Sequence, residues 1–139
     1  MINKARALEI FDKILAEVGD FEHIKPYKGA NFDFELVFCD DAKIEEINSQ
    51  YRGKDCPTDI ITFALFFDCE EKIVCDNEIN LGEIIISFDT ARRQAEAAGI
   101  ALEKELQTLV AHGILHLLGL DHQTEEDYEF VLGIQERVI

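Results

Sequence analysis

Three of the four histidines stand in one run, His112-Gly113-Ile114-Leu115-His116-Leu117-Leu118-Gly119-Leu120-Asp121-His122. Imidazoles at this spacing could hold a metal ion. Residues four apart share a helix face, so His112 and His116 can reach one ion from adjacent turns. His122 cannot join them from the same straight helix, and the chain must leave the helix after Leu118. Gly119 permits that exit, because a residue without Cβ takes the left-handed conformation that ends helices. The segment from Leu109 to Leu120 is apolar on nearly all sides and is therefore read as buried. Imidazoles there are costly unless something satisfies them, and a metal does. Three neutral imidazoles and one open position describe a catalytic zinc site, whereas structural zinc is usually closed by four ligands rich in cysteine. The expectation is one zinc ion on His112, His116 and His122.

The order of the histidines and the glycine also follows the metzincin spacing H-E-x-x-H-x-x-G-x-x-H, except that Gly113 stands where the protease glutamate would be. That glutamate takes the proton from water on the zinc, so its absence argues against ordinary peptide hydrolysis. The run H-G-x-L-H-L-x-G-x-D-H resembles the YbeY family of bacterial ribosomal RNA maturation endoribonucleases. The same resemblance extends to Tyr51-Arg52-Gly53-Lys54-Asp55, Pro57-Thr58-Asp59 and Leu81-Gly82-Glu83-Ile84. The chain departs from the family pattern at Thr62-Phe63-Ala64, where Ser-Phe-Pro is common, and at Glu83, where Asp is common. The resemblance implies zinc-dependent, single-strand-specific cleavage of RNA in maturation of the 3′ end of 16S ribosomal RNA, and a role in ribosome quality control. It implies precursor ribosomal RNA and the small ribosomal subunit with its proteins as partners.

Arg52 and Asp121 are the candidate catalytic residues, and Arg52 and Lys54 the candidate substrate-binding ones. The planar fork of Arg52 suits a phosphodiester, which it could orient while stabilising growing charge. Resemblance to the arginine of the family's Y-R-G-K-D selects this over a surface ion pair. Asp121 either shuttles a proton or fixes a histidine tautomer, and the second role is favoured. Asp55 and Asp59 are assigned to the turn around Pro57 or to holding Arg52. Zinc can make water acidic and polarise a phosphate oxygen, which accommodates Gly113. Two other classes remain: a metzincin-like metalloprotease, and a non-catalytic assembly factor whose zinc is structural.

The charge resists a nuclease reading. The 139 residues carry 13 basic against 29 acidic side chains, a net charge of −16, whereas proteins that hold nucleic acid usually present basic patches. Tight unaided binding to long RNA is therefore not expected, and a ribosomal surface could supply the missing attraction. Cys39, Cys56, Cys69 and Cys75 form no C-x-x-C pair and are read as free thiols. The amino-terminal residues lack an uninterrupted apolar segment, and no later stretch has the length to span a bilayer. A cytoplasmic enzyme without membrane contact is the expectation.

These side chains need a frame. Ala5 to Val18 recurs at helical spacing and is closed by Gly19. Phe32, Phe34, Leu36 and Phe38 alternate with Asp33, Glu35 and Val37 in a half-buried strand, and Phe32, Phe34 and Phe38 are read as core. Asp40 or Asp41 caps a second helix ending at Arg52 and Gly53. Ile60 to Phe66 and Ile84 to Ser87 read as paired strands. Asp89 is read as the cap of a third helix through Ala98, followed by a buried fourth from Glu103 to Leu118. A last helix begins near Thr124 and runs through Ile134. No repeat or linker divides residues 1–139, which are read as one metal-dependent hydrolase domain. The expected class is α+β, an α/β sandwich with one mixed sheet of about four strands covered by about five helices, and the zinc site at the end of a buried helix. Phe66 and Phe67 are the aromatic residues expected to be exposed, Arg92 and Arg93 are read as solvated charges, and His23 has no assigned role.

Overall fold

The structure, a computed structural model, describes residues 2–72, 74–120 and 125–139. Helix α1 (Lys4–Val18) starts where the Asn3 side chain accepts a hydrogen bond from the Arg6 amide, 2.9 Å. It buries Ala7, Ile10, Phe11, Ile14 and Val18, while Ala5 and Leu8, which the spacing put on the same apolar stripe, are exposed. Strand β1 (Asn31–Cys39) leads to α2 (Asp41–Arg52), which Asp40 caps through the Lys43 amide at 2.8 Å. Strands β2 (Ile60–Ala64) and β3 (Glu78–Ser87) follow, then α3 (Phe88–Ala98), α4 (Leu102–Leu117) and α5 (Glu125–Val138).

The sheet has the order β1-β3-β2, with β1 parallel and β2 antiparallel to β3. It is the mixed sheet of an α+β fold, with three strands among the described residues. Strand β3 is central, and its Ile84-Ile85-Ile86 run is covered on both faces because successive side chains point opposite ways. Ile84 and Ile86 enter the main core with Ile10, Ile14, Leu106, Val110 and Ile114, while Ile85 packs with Ile44 of α2 and Ile61 of β2. Helices α1 and α4 thus cover one face and α2 the other. Strand β1 lies at an edge, which leaves its apolar side chains half-buried and Phe38 38% exposed; the core position expected for Phe38 is not reached.

Three boundaries differ from expectation. The second strand stops at Ala64, and the chain turns before Phe66. The cap of α3 is Ser87, whose hydroxyl accepts from the Thr90 amide at 3.3 Å, while Asp89 sits in the first turn and accepts from the Asp41 amide at 3.1 Å. Helix α5 runs past Ile134 to Val138; Thr124, its expected start, lies outside the described residues. Among the described residues no helix is long and apolar enough to cross a membrane.

Candidate metal and phosphate site

From Leu109 to Leu117 helix α4 is buried in the core except at His112 and His116, which are half-buried. One turn apart, their rings lie with centroids 4.4 Å apart and planes tilted by 47°. The Nδ1–H of His112 donates to the side-chain oxygen of Gln135 at 2.8 Å. An amide carbonyl can only accept, so this bond selects the tautomer that carries the imidazole lone pair on Nε2. Gln135 is 4% exposed and lies on the face of α5 that also carries Val131, Ile134 and Val138. A polar residue at i, i+3, i+4 spacing within an apolar stripe was the signal that could have found it.

Beyond His116 the helix ends in a Schellman turn. The Leu120 amide donates to Leu115 O at 2.9 Å and the Gly119 amide to His116 O at 3.0 Å, with Gly119 at φ 80°. The same turn receives an unforeseen support from His23, whose Nε2–H donates to Leu118 O at 2.8 Å. Phe67 packs edge-on against the His23 ring, 5.5 Å between centroids. His23 therefore holds the exit of α4, and nothing in its loop sequence signalled this. Phe66 is 5% exposed and Phe67 is packed against the core, so the exposure expected for both is corrected: with Tyr27 and His23 they fill the space under this turn.

The two histidines open onto a cleft of about 480 Å³. Its other walls are Tyr51 and Arg52 from the last turn of α2, Thr58 and Asp59 from the following loop, and Ile60 to Phe63 of β2. Gly53, at φ 67°, ends α2, and the buried Asn48 ties the loop back to the helix by donating to Cys56 O at 2.8 Å. Asn48 was not singled out in the sequence, because a single buried polar residue in a charged helix leaves no periodic mark.

Arg52 is exposed at this wall. Among the described residues, Arg6, Arg92, Arg93 and Arg137 each form ion pairs with carboxylates, while Arg52 forms none. Arg92 and Arg93 thus pair with Asp89 and Asp41 rather than serving only as solvated charges. Asp55 accepts from the Ser49 hydroxyl, and Asp59 lines the cleft; neither hydrogen-bonds Arg52 among the described residues. Of the two roles read for them, their bonds to Ser49 and Thr58 belong to the loop around Pro57, and among the described residues neither holds Arg52. Lys54 and Cys56 are exposed and lie outside the cleft lining, and the cysteines are free thiols.

The residues present fit a metal as far as the described donors go. A pair of imidazoles one helical turn apart, with one tautomer fixed by Gln135, offers two nitrogens from a single rigid element. Among the described residues no group of three metal donors is complete; His122 and Asp121 lie outside them. Gly113 packs on the sheet, where an added Cβ would stand 2.9 Å from Ile84 Cγ2 and 3.1 Å from Ile60 Cδ1. A glutamate at this position would not fit without moving the core.

The fold is α+β, and one cleft brings together a histidine pair and an arginine. A sequence model of the family described as endoribonuclease YbeY matches residues 1–139, and the chain belongs to that family. The endoribonuclease YbeY of Geobacillus kaustophilus is 38% identical over 138 residues, 97% of this chain and 86% of that protein. That of Synechococcus sp. strain CC9605 is 45% identical over 104 residues, 75% of this chain and 62% of that protein, so the match spans less than two thirds of that relative. The solution structure of TM1509 from Thermotoga maritima superposes with a TM-score of 0.57 at 30% identity, covering 99% of this chain and 85% of that one.

Proposed function

We propose that this chain is a zinc-dependent endoribonuclease that cuts single-stranded RNA in maturation of the 3′ end of 16S ribosomal RNA and in ribosome quality control, acting in the cytoplasm with the small ribosomal subunit and its proteins. The observation that carries the reading is Arg52. In a chain of net charge −16, the arginine that lines the same cleft as the histidines is the one without a carboxylate partner among the described residues. A guanidinium kept available in this way suits a phosphate with two parallel N–H donors.

His112 and His116, with His122 as the third member, are the residues that would hold one zinc ion. Zinc when bound supplies Lewis-acid chemistry, acidifying water and drawing charge from a phosphoryl oxygen. Gln135 keeps Nε2 of His112 as the donor atom. Arg52 binds the scissile phosphate, orients it toward the histidine wall and stabilises negative charge as it grows. Asp121 orients a histidine, and Lys54 adds attraction at the approach to Arg52.

The metzincin-like protease reading has one feature in its favour: β2 is an edge strand along the cleft and could take an extended peptide by strand addition. The packing around Gly113 counts against it. The assembly-factor reading requires a zinc with no open position. Purified protein incubated with a single-stranded oligoribonucleotide beside unstructured peptides separates the three. RNA cut and peptides intact is the expected result; peptides cut, or neither substrate touched, would contradict the proposal.

A further inference from the structure

Among the described residues Tyr51 is the most exposed of the large hydrophobic side chains, at 62%. A ring so placed contributes little to the core, and single exposed aromatics need no explanation on their own. Tyr51 differs in what surrounds it. It lines the same cleft as Arg52, His112 and His116. Its ring is also held: Phe63 of β2 meets it at 5.2 Å between centroids with planes at 73°. This T-shaped contact fixes one side of the phenol ring and leaves the rest to solvent.

We propose that Tyr51, braced by Phe63, is a stacking platform for a base of single-stranded RNA next to the phosphate bound by Arg52. The inference rests on the ribonuclease reading and names a subsite within it. Tyr51 and Arg52 are consecutive in the last turn of α2, so their side chains diverge by about 100° around the helix axis and reach neighbouring parts of one cleft. A nucleotide offers the matching pair, an anionic phosphate and an aromatic face linked by a short sugar. A base inside a duplex is already stacked on both sides and cannot lie on the ring, so the platform favours unpaired strands. It is tolerant of sequence, because every base has a π face. It also supplies attraction that does not depend on charge, which suits a protein this acidic.

The test is steady-state cleavage of a single-stranded oligoribonucleotide, and of the same oligonucleotide with abasic residues flanking the cut, at low and high salt. Tyr51→Ala should raise KM roughly tenfold with little change in kcat. Tyr51→Phe should restore the wild-type KM, while Tyr51→Leu, apolar but not aromatic, should behave as Tyr51→Ala. Wild-type protein should lose a similar factor on the abasic substrate, and Tyr51→Ala should lose nothing further. The Tyr51 effect should persist at high salt, where the contribution of Arg52 fades. Cleavage by Tyr51→Ala or Tyr51→Leu with wild-type KM overturns the platform alone. A wild-type protein inert toward the oligonucleotide overturns the ribonuclease reading and the platform with it.

Discussion

The two ends of α2 use their charged side chains in opposite ways. At the amino-terminal end Asp41 accepts the hydroxyls of Ser87 and Thr90, each at 2.6 Å, and pairs with Arg93 at 2.8 Å. These bonds, the Ser87 hydroxyl foremost, hold the Asp41 carboxyl down at about 2. At the carboxyl-terminal end Arg52 and Tyr51 meet the cleft with no ion pair among the described residues. Twelve residues of helix separate the two ends, about 18 Å at 1.5 Å per residue. A helix pinned at one end by three bonds to β3 and α3 can present the other end with its polar groups available. The comparison teaches that frame and function are divided along one element: changes at the pinned end should act on stability, and changes at the presenting end on activity.

The largest effect expected is at the presenting end. Arg52→Ala should lower kcat/KM for RNA on the order of a hundredfold to a thousandfold, with a thermal midpoint close to wild type, since no bond to the frame is lost. Arg52→Lys, which keeps the charge but not the fork, should recover only part of it. A large fall in melting temperature for Arg52→Ala would break the division.

Next comes the support of the histidine wall. Gln135→Leu should weaken zinc binding about 10- to 100-fold, the usual cost of removing the partner of a ligating histidine, measured by competition with a chromophoric chelator. Gln135→Glu, which keeps an acceptor for Nδ1–H, should bind more tightly than Gln135→Leu. Equal affinities in the two variants would remove Gln135 from the account.

At the pinned end, Asp41→Asn should cost about 1.5–3 kcal/mol of unfolding free energy, the range for hydrogen bonds to a charged group, with activity per folded molecule unchanged. The pH dependence follows from the lowered pKa. A carboxylate whose folded pKa lies below its ordinary 3.8 contributes stability above that value and loses it as pH falls toward about 2. Wild-type and Asp41→Asn unfolding curves should therefore converge in that window. Curves that stay parallel to pH 2 would assign the stabilisation elsewhere.

The smallest effect is expected outside α2, at Glu105 of α4. Burial first, and then the negative charge of Asp59, raise its pKa above 4.5. A carboxyl raised in this way costs the folded state stability as pH climbs through 4.5 and above. Glu105→Gln should consequently gain a few tenths of a kcal/mol at neutral pH and nothing at pH 4, as read by urea unfolding.

The sequence showed the elements whose signals are local. Helix α1 with its buried Ile10, Phe11, Ile14 and Val18, the Asp40 cap and the left-handed exit at Gly119 all follow from spacing and backbone chemistry, and all stand where those rules put them. What it hid depends on partners far along the chain. The supports at His23 and Gln135 act across 95 and 23 residues respectively, and no local pattern reports a bond of that kind. Asp89 looked like a cap by type, but Ser87 at the strand end reached the amide first and released Asp89 to bind the start of α2. Strand β1 reads as half-buried from its alternation, and it is, yet alternation does not say that a strand lies at an edge. The cleft itself is tertiary: its lining comes from α2, the loop after it, β2 and α4, which lie far apart in the chain.

The central claim is that a histidine-bound zinc and Arg52 act together on an RNA phosphate. The most direct test is cleavage of a fragment of precursor 16S ribosomal RNA carrying an unpaired 3′ extension, using purified protein as prepared, after chelation, and after zinc is restored, with Arg52→Ala and His116→Ala in parallel. The account predicts cleavage within the single-stranded extension that disappears on chelation, returns with zinc, and is lost on the order of a thousandfold in His116→Ala. Undiminished cleavage by chelated protein or by His116→Ala would contradict it.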